Sequence, residues 1–147
     1  MTESIYIHNS HNVSNLVYHF VCPTKYRRVV VTKDVDECLK QTCAGIELRY
    51  DWITFLEIGT DQDHVHFLIQ STPNYSPSKI ISTVKSITAK RVFAEHPEVK
   101  KQLWGGAFWS EGYFVASVGK DRSEDAICQY VKRQGKQEEY KQLQLTL

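Results

Sequence analysis

The sequence predicts an α+β domain of the ferredoxin-like class, a split β-α-β antiparallel sheet with helices on one face and an extra C-terminal helix. Three observations carry it. Extended and helical periodicities alternate in the order β, α, β, β, α, β, α; no Pro/Gly/Ser-rich linker or internal repeat divides the chain; and 147 residues suit one hydrophobic core. A single domain is expected over 1–147, with a core of about 12–135 and a tail over 136–147.

Leu16 to Cys22 is a β-branched and aromatic run that stops at Pro23, and Val29 to Val31 extends or follows it. From Lys33 to Arg49 the apolar positions Val35, Leu39, Thr42/Cys43 and Ile46 recur at helical spacing, with Thr32 placed to cap. Trp52 to Ile58 and His64 to Ile69 read as a hairpin around the polar turn Gly59 to Asp63. Ser76-Pro77 supplies a cap and a first-turn proline. Behind it Ile80, Val84, Ile87 and Arg91/Val92 trace a stripe toward Glu95. Gly105-Gly106 punctuates. Phe108 to Val118 reads as one bent strand with Gly112 inside it, and Asp121 with Glu124 resembles a capping box opening the last helix.

Composition narrows the class without naming a partner. Hydrophobic residues make up 41% and charged residues 24%, with a net charge of +1, so the overall balance makes no electrostatic case for nucleic acid. Charge is instead local: Lys25, Arg27 and Arg28; Lys85, Lys90 and Arg91; Lys132, Arg133 and Lys136. Such clusters are solvated faces more often than phosphate sites. Charged or polar residues break every hydrophobic run short of a membrane helix. Cys22, Cys38, Cys43 and Cys128 have no paired metal-ligand spacing and the start lacks a signal peptide, so reduced thiols and a cytoplasmic location are expected.

The chemistry-bearing residues fall in two places. In His64-Val65-His66 the strand repeat sends both imidazoles to one face and Val65 to the other, so the pair can hold a divalent first-row metal. Alone, the motif fits two ordinary polar-face histidines equally well. Asp61 and Asp63 precede it and can tune the site or simply shape the turn. Tyr130 and Gln134 lie four apart on the last helix, sharing a face. A glutamine on an apolar stripe needs a polar partner, and a metal would satisfy its carbonyl oxygen. Tyr130 is one of eight tyrosines and in isolation reads as an edge-of-core ring. Beside a metal, its hydroxyl becomes a candidate nucleophile toward a phosphodiester.

Together these motifs resemble the single-tyrosine HUH transposases of bacterial insertion sequences, the TnpA type, and the related REP-associated tyrosine transposases. The resemblance runs through Tyr18-His19, Lys25-Tyr26-Arg27-Arg28, Asp63-His64-Val65-His66, Tyr75-Ser76-Pro77-Ser78, Leu103-Trp104-Gly105-Gly106, Phe108-Trp109-Ser110, Gly112-Tyr113-Phe114-Val115 and Tyr130-Val131-Lys132-Arg133-Gln134. It implies a homodimer that cuts and rejoins single-stranded DNA beside hairpins, through a covalent 5′-phosphotyrosine. The family's histidines map onto His64 and His66, its nucleophile onto Tyr130 and its glutamine ligand onto Gln134, with Mg2+ or Mn2+ as cofactor. It also favours composite active sites, the Tyr130 helix reaching the partner's sheet across a hinge at Gly119-Lys120-Asp121. Lys25, Arg27, Arg28, Lys85, Lys90 and Arg91 are candidates for DNA phosphates, and Tyr75, Trp104 and Trp109 for unpaired bases, although both tryptophans read first as core or interface residues. The alternatives are a REP-associated nuclease, a hydrolytic metallo-phosphodiesterase, and a non-catalytic nucleic-acid-binding module of the same fold.

Overall fold

The computed structural model describes residues 6–119. A two-residue ladder, β1 (Ile7–His8) with β2 (Val13–Ser14), precedes the main body. The body runs β3 (Leu16–Pro23), α1 (Lys33–Arg49), β4 (Thr54–Thr60), β5 (His64–Ser71), α2 (Pro77–Glu95), the short α3 (Pro97–Gln102) and β6 (Phe114–Val118). The sheet order is β4-β5-β3-β6 with every neighbour antiparallel, which is the split β-α-β topology expected. The C-terminal helix expected to carry Tyr130 lies outside the described residues.

Local chemistry accounts for the helix bounds. Thr32 Oγ1 accepts the Val35 amide at 3.3 Å and Ser76 Oγ accepts the Lys79 amide at 3.1 Å, each capturing one of the first-turn donors a helix leaves orphaned. Asp34 and Asp36 add negative charge at the positive end of α1. At the far end of α2, Pro97 disfavours the helical region for His96, which sits at φ −132° and ψ 70°; the chain turns there and starts α3.

The two sheet faces differ. Phe20, Cys22, Val65, Phe67 and Ile69 join Val35, Leu39, Cys43, Ile46, Ile80, Ile81 and Val84 of α1 and α2 in the main core. Strand alternation puts Val17, His19 and Val21 of β3, and His64, His66, Leu68 and Gln70 of β5, on the opposite face. Val17 and Leu68 form a second small cluster there with Leu56 and Val118. In β4 a bulge between Phe55 and Glu57 shifts the register, so that Phe55 pairs with Ile69, Ile58 with Phe67, and Gly59 with His66.

Two elements differ from expectation. Val29 to Val31 is not a strand; the Val30 and Val31 amides instead share the Gln62 carbonyl, at 3.2 and 3.0 Å. Phe108 to Val118 is not one strand: Trp109 makes an isolated bridge to Thr24, and the ladder resumes only at Phe114. The break has a physical cause, since Lys85 Nζ donates to the Ser110 and Glu111 carbonyls at 2.7 and 3.5 Å and takes them out of strand pairing. Trp109 is buried and its Nε1 donates to Thr88 Oγ1 at 3.0 Å, fixing this segment onto α2.

Candidate metal centre and active site

Antiparallel register brings three histidines together at one end of the sheet. His64 and His66, at the start of β5, lie opposite Pro23 and Val21, and His19 lies two residues along β3 from Val21. The rings of His64 and His66 are 5.0 Å apart at 73°, and those of His66 and His19 are 5.3 Å apart and stacked. All three are buried. The His-x-His pair therefore occupies one face as the strand repeat requires, on the side away from the α1/α2 core.

Hydrogen bonds constrain which nitrogens these rings can offer. His64 Nδ1 lies 2.8 Å from Asp63 Oδ1; an ionised carboxylate only accepts, so Nδ1 carries the hydrogen and a neutral His64 keeps its lone pair on Nε2. Asp61 Oδ2 stands 3.8 Å from that Nε2. His66 Nδ1 lies 3.0 Å from His19 Nε2. When His66 is the donor of that bond, it too keeps its lone pair on Nε2. A carboxylate or ring nitrogen behind each imidazole is the arrangement that orients metal-ligating histidines. Gly59 completes the surroundings: a Cβ there would lie 3.7 Å from the Cβ of His66, so glycine leaves that flank of the ring without a covering side chain.

His19, which the sequence offers only within the Tyr18-His19 motif, is the third histidine of this cluster. Its ring also meets Phe114 edge-on at 6.1 Å, and burial holds its pKa down at about 4, against an ordinary value of 6.5. Above pH 6.5 the ring is neutral in folded and unfolded chains alike. As the pH falls from 6.5 to 4 the unfolded chain takes up the proton first, so folding stability is lost across that window by about 3 kcal/mol. Urea unfolding of metal-free protein should show this loss, and His19→Gln should flatten it; an unchanged slope in the variant would assign the acid sensitivity to other groups.

The expected cationic contacts separate. Lys25, Arg27 and Arg28 lie in and just after a turn, Lys25–Arg27, that leaves β3 beside His64: Thr24 pairs through its amide with the Asp63 carbonyl at 2.9 Å. Lys85 is half-buried against the Ser110 carbonyl, and burial lowers its pKa. Lys90 and Arg91 line a groove between α1 and α2, on the helical layer, and Arg91 pairs with Glu95 at 2.6 Å. Tyr75 is stacked on Trp52 at 3.8 Å. Tyr130 and Gln134 lie outside the described residues, as does Cys128.

Among the described residues, the group whose three His, Cys, Asp or Glu donor atoms lie within 4.8 Å of one another is not the His64/His66 pair but Cys38, Glu95 and His96, on the helical layer. Burial and the Glu95 hydrogen bond raise the Cys38 thiol to about 11, Glu95 is held by Arg91, and His96 Nδ1 is 3.1 Å from Glu98. Cys22 and Cys43 are likewise buried, with thiols raised by burial to about 12. No described helix is long and apolar enough to cross a membrane.

Residues 12–134 match the family model described as "Transposase IS200 like". The chain is 29% identical over 122 residues to the ISDra2 transposase TnpA of Deinococcus radiodurans, covering 83% of this chain and 86% of that one. It is 28% identical over 129 residues to the transposase of insertion sequence element IS200 from Salmonella typhimurium, covering 85% and 80%. A solved crystal structure from Deinococcus radiodurans R1, described as a candidate transposase, superposes with a TM-score of 0.70 at 28% identity, covering 87% of this chain and 97% of that one.

Proposed function

The chain belongs to the IS200-like transposase family, and from that membership we infer that it cuts and rejoins single-stranded DNA at the ends of an insertion sequence, with Tyr130 as nucleophile and His64, His66 and Gln134 as metal ligands. The observation that carries this reading is the convergence of His64 and His66 on one sheet face, each anchored through Nδ1, within the matched segment.

The donor set fits a divalent ion: two imidazole nitrogens, the Asp61 carboxylate near one of them, and the Gln134 carbonyl as the proposed further donor. Mixed nitrogen and oxygen ligation suits Mn2+ better than Mg2+, which favours oxygen. Such an ion, when bound, supplies positive charge to the non-bridging oxygens of the scissile phosphate. The protein does the rest. Asp63 and His19 hold the two ligand rings in register, and Tyr130 Oη attacks phosphorus in line. The bond to the 3′ oxygen breaks, that oxygen takes a proton, and the 5′ end remains as a phosphotyrosine ester. A second strand's 3′ hydroxyl reverses the exchange onto a new end and frees Tyr130, so bond energy is conserved without a nucleotide cofactor.

The test is to incubate full-length protein with labelled single-stranded element ends carrying their hairpins, with Mn2+. A denaturation-resistant protein–DNA adduct is the expected result. Cleavage with no adduct would point to water as the nucleophile, and binding with no cleavage to a non-catalytic module.

We further propose a homodimer with composite sites, each combining His64 and His66 of one chain with Tyr130 and Gln134 of the other. β6 ends at Val118, so Gly119 begins the connection toward the Tyr130 segment, and among the described residues a Cβ at Gly119 would meet nothing within 4 Å. Mixing is decisive. A His64→Ala/His66→Ala chain and a Tyr130→Phe chain, each inactive alone, should recover cleavage on forming heterodimers, because one composite site is then intact. A verified heterodimer without recovery would show that each chain builds its own site.

A further inference from the structure

We propose that Tyr26 and Trp104, flanked by Arg28 and Lys25, form a stacking platform for an unpaired base of single-stranded DNA next to the His64/His66 site. The inference rests on the transposase reading above and adds a subsite to it.

Of the three tryptophans, Trp52 and Trp109 are buried, whereas Trp104 is 70% exposed and its neighbour Tyr26 is 62% exposed. Their rings approach to 5.5 Å at a tilt of 54°, making an open aromatic corner rather than a closed stack. The Arg28 guanidinium lies 4.5 Å from the Trp104 ring centroid and donates to the Gln102 carbonyl at 3.3 Å; Lys25 Nζ lies 5.3 Å from the Tyr26 ring centroid. Aromatic faces edged by cations match a nucleotide, whose base stacks while its phosphate meets the charge.

The backbone points the same way. Among the described residues the non-glycine residues at positive φ are Tyr26 at 58°, Arg27 at 52° and Trp104 at 53°, and all three belong to this corner. Side chains other than glycine adopt that region at a cost in strain, and such strain persists where the surroundings hold it. Here the surroundings are ordered: Arg27 N bonds to Thr24 O at 2.9 Å, Lys25 N to Phe108 O at 2.8 Å, and Trp104 N to Lys101 O at 3.0 Å. The two left-handed positions 26 and 104 are the ones that carry the exposed rings. The turn that carries Tyr26 begins at Lys25, two residues after Pro23, which pairs with His64 in the sheet. A duplex keeps its bases stacked on each other; only an unpaired base can offer its face to Trp104.

The test uses full-length protein without metal, so that no strand is cut, and two probes: a short thymidine strand and an abasic strand of equal length. Trp104 fluorescence should be quenched by the thymidine strand and much less by the abasic one. Trp104→Ala should weaken thymidine binding about tenfold, leave abasic binding within about twofold, and Trp104→Phe should restore most of the difference. Equal losses on both strands, or no loss on either, would overturn the platform; circular dichroism of both variants verifies that they fold. Adduct formation by the unaltered protein with Mn2+ is scored separately, so a failed transposase reading and a failed platform give different results.

Discussion

Tyr130→Phe should abolish both cleavage and the covalent adduct while leaving hairpin binding nearly intact. One hydroxyl is removed, and with it the oxygen proposed to become the phosphotyrosine ester; little binding surface goes with it. The loss should reach at least about 10³-fold, the scale on which nucleophile replacements act. Gel separation under denaturing conditions reads the adduct, and a binding titration on the same strand reads the hairpin contact. An adduct that survives in the variant would move the nucleophile elsewhere, with Tyr113 and Tyr140 the next positions to replace. Loss of binding together with cleavage would instead indicate that the ring supports the fold.

His64→Ala or His66→Ala should remove metal-dependent cleavage. Each deletes one of the two nitrogen donors held on the same strand face, and metal affinity should fall by roughly two orders of magnitude or more, given that replacing residues merely behind the ligands costs 10–100-fold. Protonated imidazole has no lone pair to donate, so cleavage should also decline in acid, and excess Mn2+ should push that decline to lower pH. An acid limb that ignores metal concentration would mean the histidines act otherwise than as ligands. Gln134→Ala should be milder than either change, since a neutral carbonyl oxygen is the weakest of the three donors.

What could be read from the chain depended on whether the information was local. Thr32 and Ser76 announce α1 and α2 because a cap acts within three residues, and both helices begin and end where their spacing places them. The His64/His66 pair is equally local, two residues of one strand. His19 does not stand out in the same way, because its place beside His66 comes from the pairing of β3 with β5, and a register between residues 47 positions apart leaves no trace in either segment alone. The Lys85 ammonium that breaks the expected strand at Ser110 is non-local in the same way. Trp104 is different again: beside Gly105-Gly106 a tryptophan reads as core or interface, and nothing in composition separates the two, whereas the structure leaves the ring exposed on a left-handed backbone.

The bulge in β4 acts as an indexing device for the whole face. Strand parity is strict, so one extra residue between Phe55 and Glu57 decides what stands beside His66. In a regular ladder counted on from Phe55 opposite Ile69, with Leu56 paired rather than bulged, Ile58 would fall opposite His66 and Glu57 opposite Phe67, placing a branched apolar chain against the imidazole and a carboxylate in the core. With the bulge, Gly59 takes the place beside His66 and Ile58 packs inward. β4 is the outermost strand, where a change in length would ordinarily be absorbed by the surface. Here the bulge lets one edge strand hold one register at Phe55 and another at Gly59, so a change that straightened the strand without losing a residue would set Ile58 beside His66 and rewrite the face on which the histidines stand.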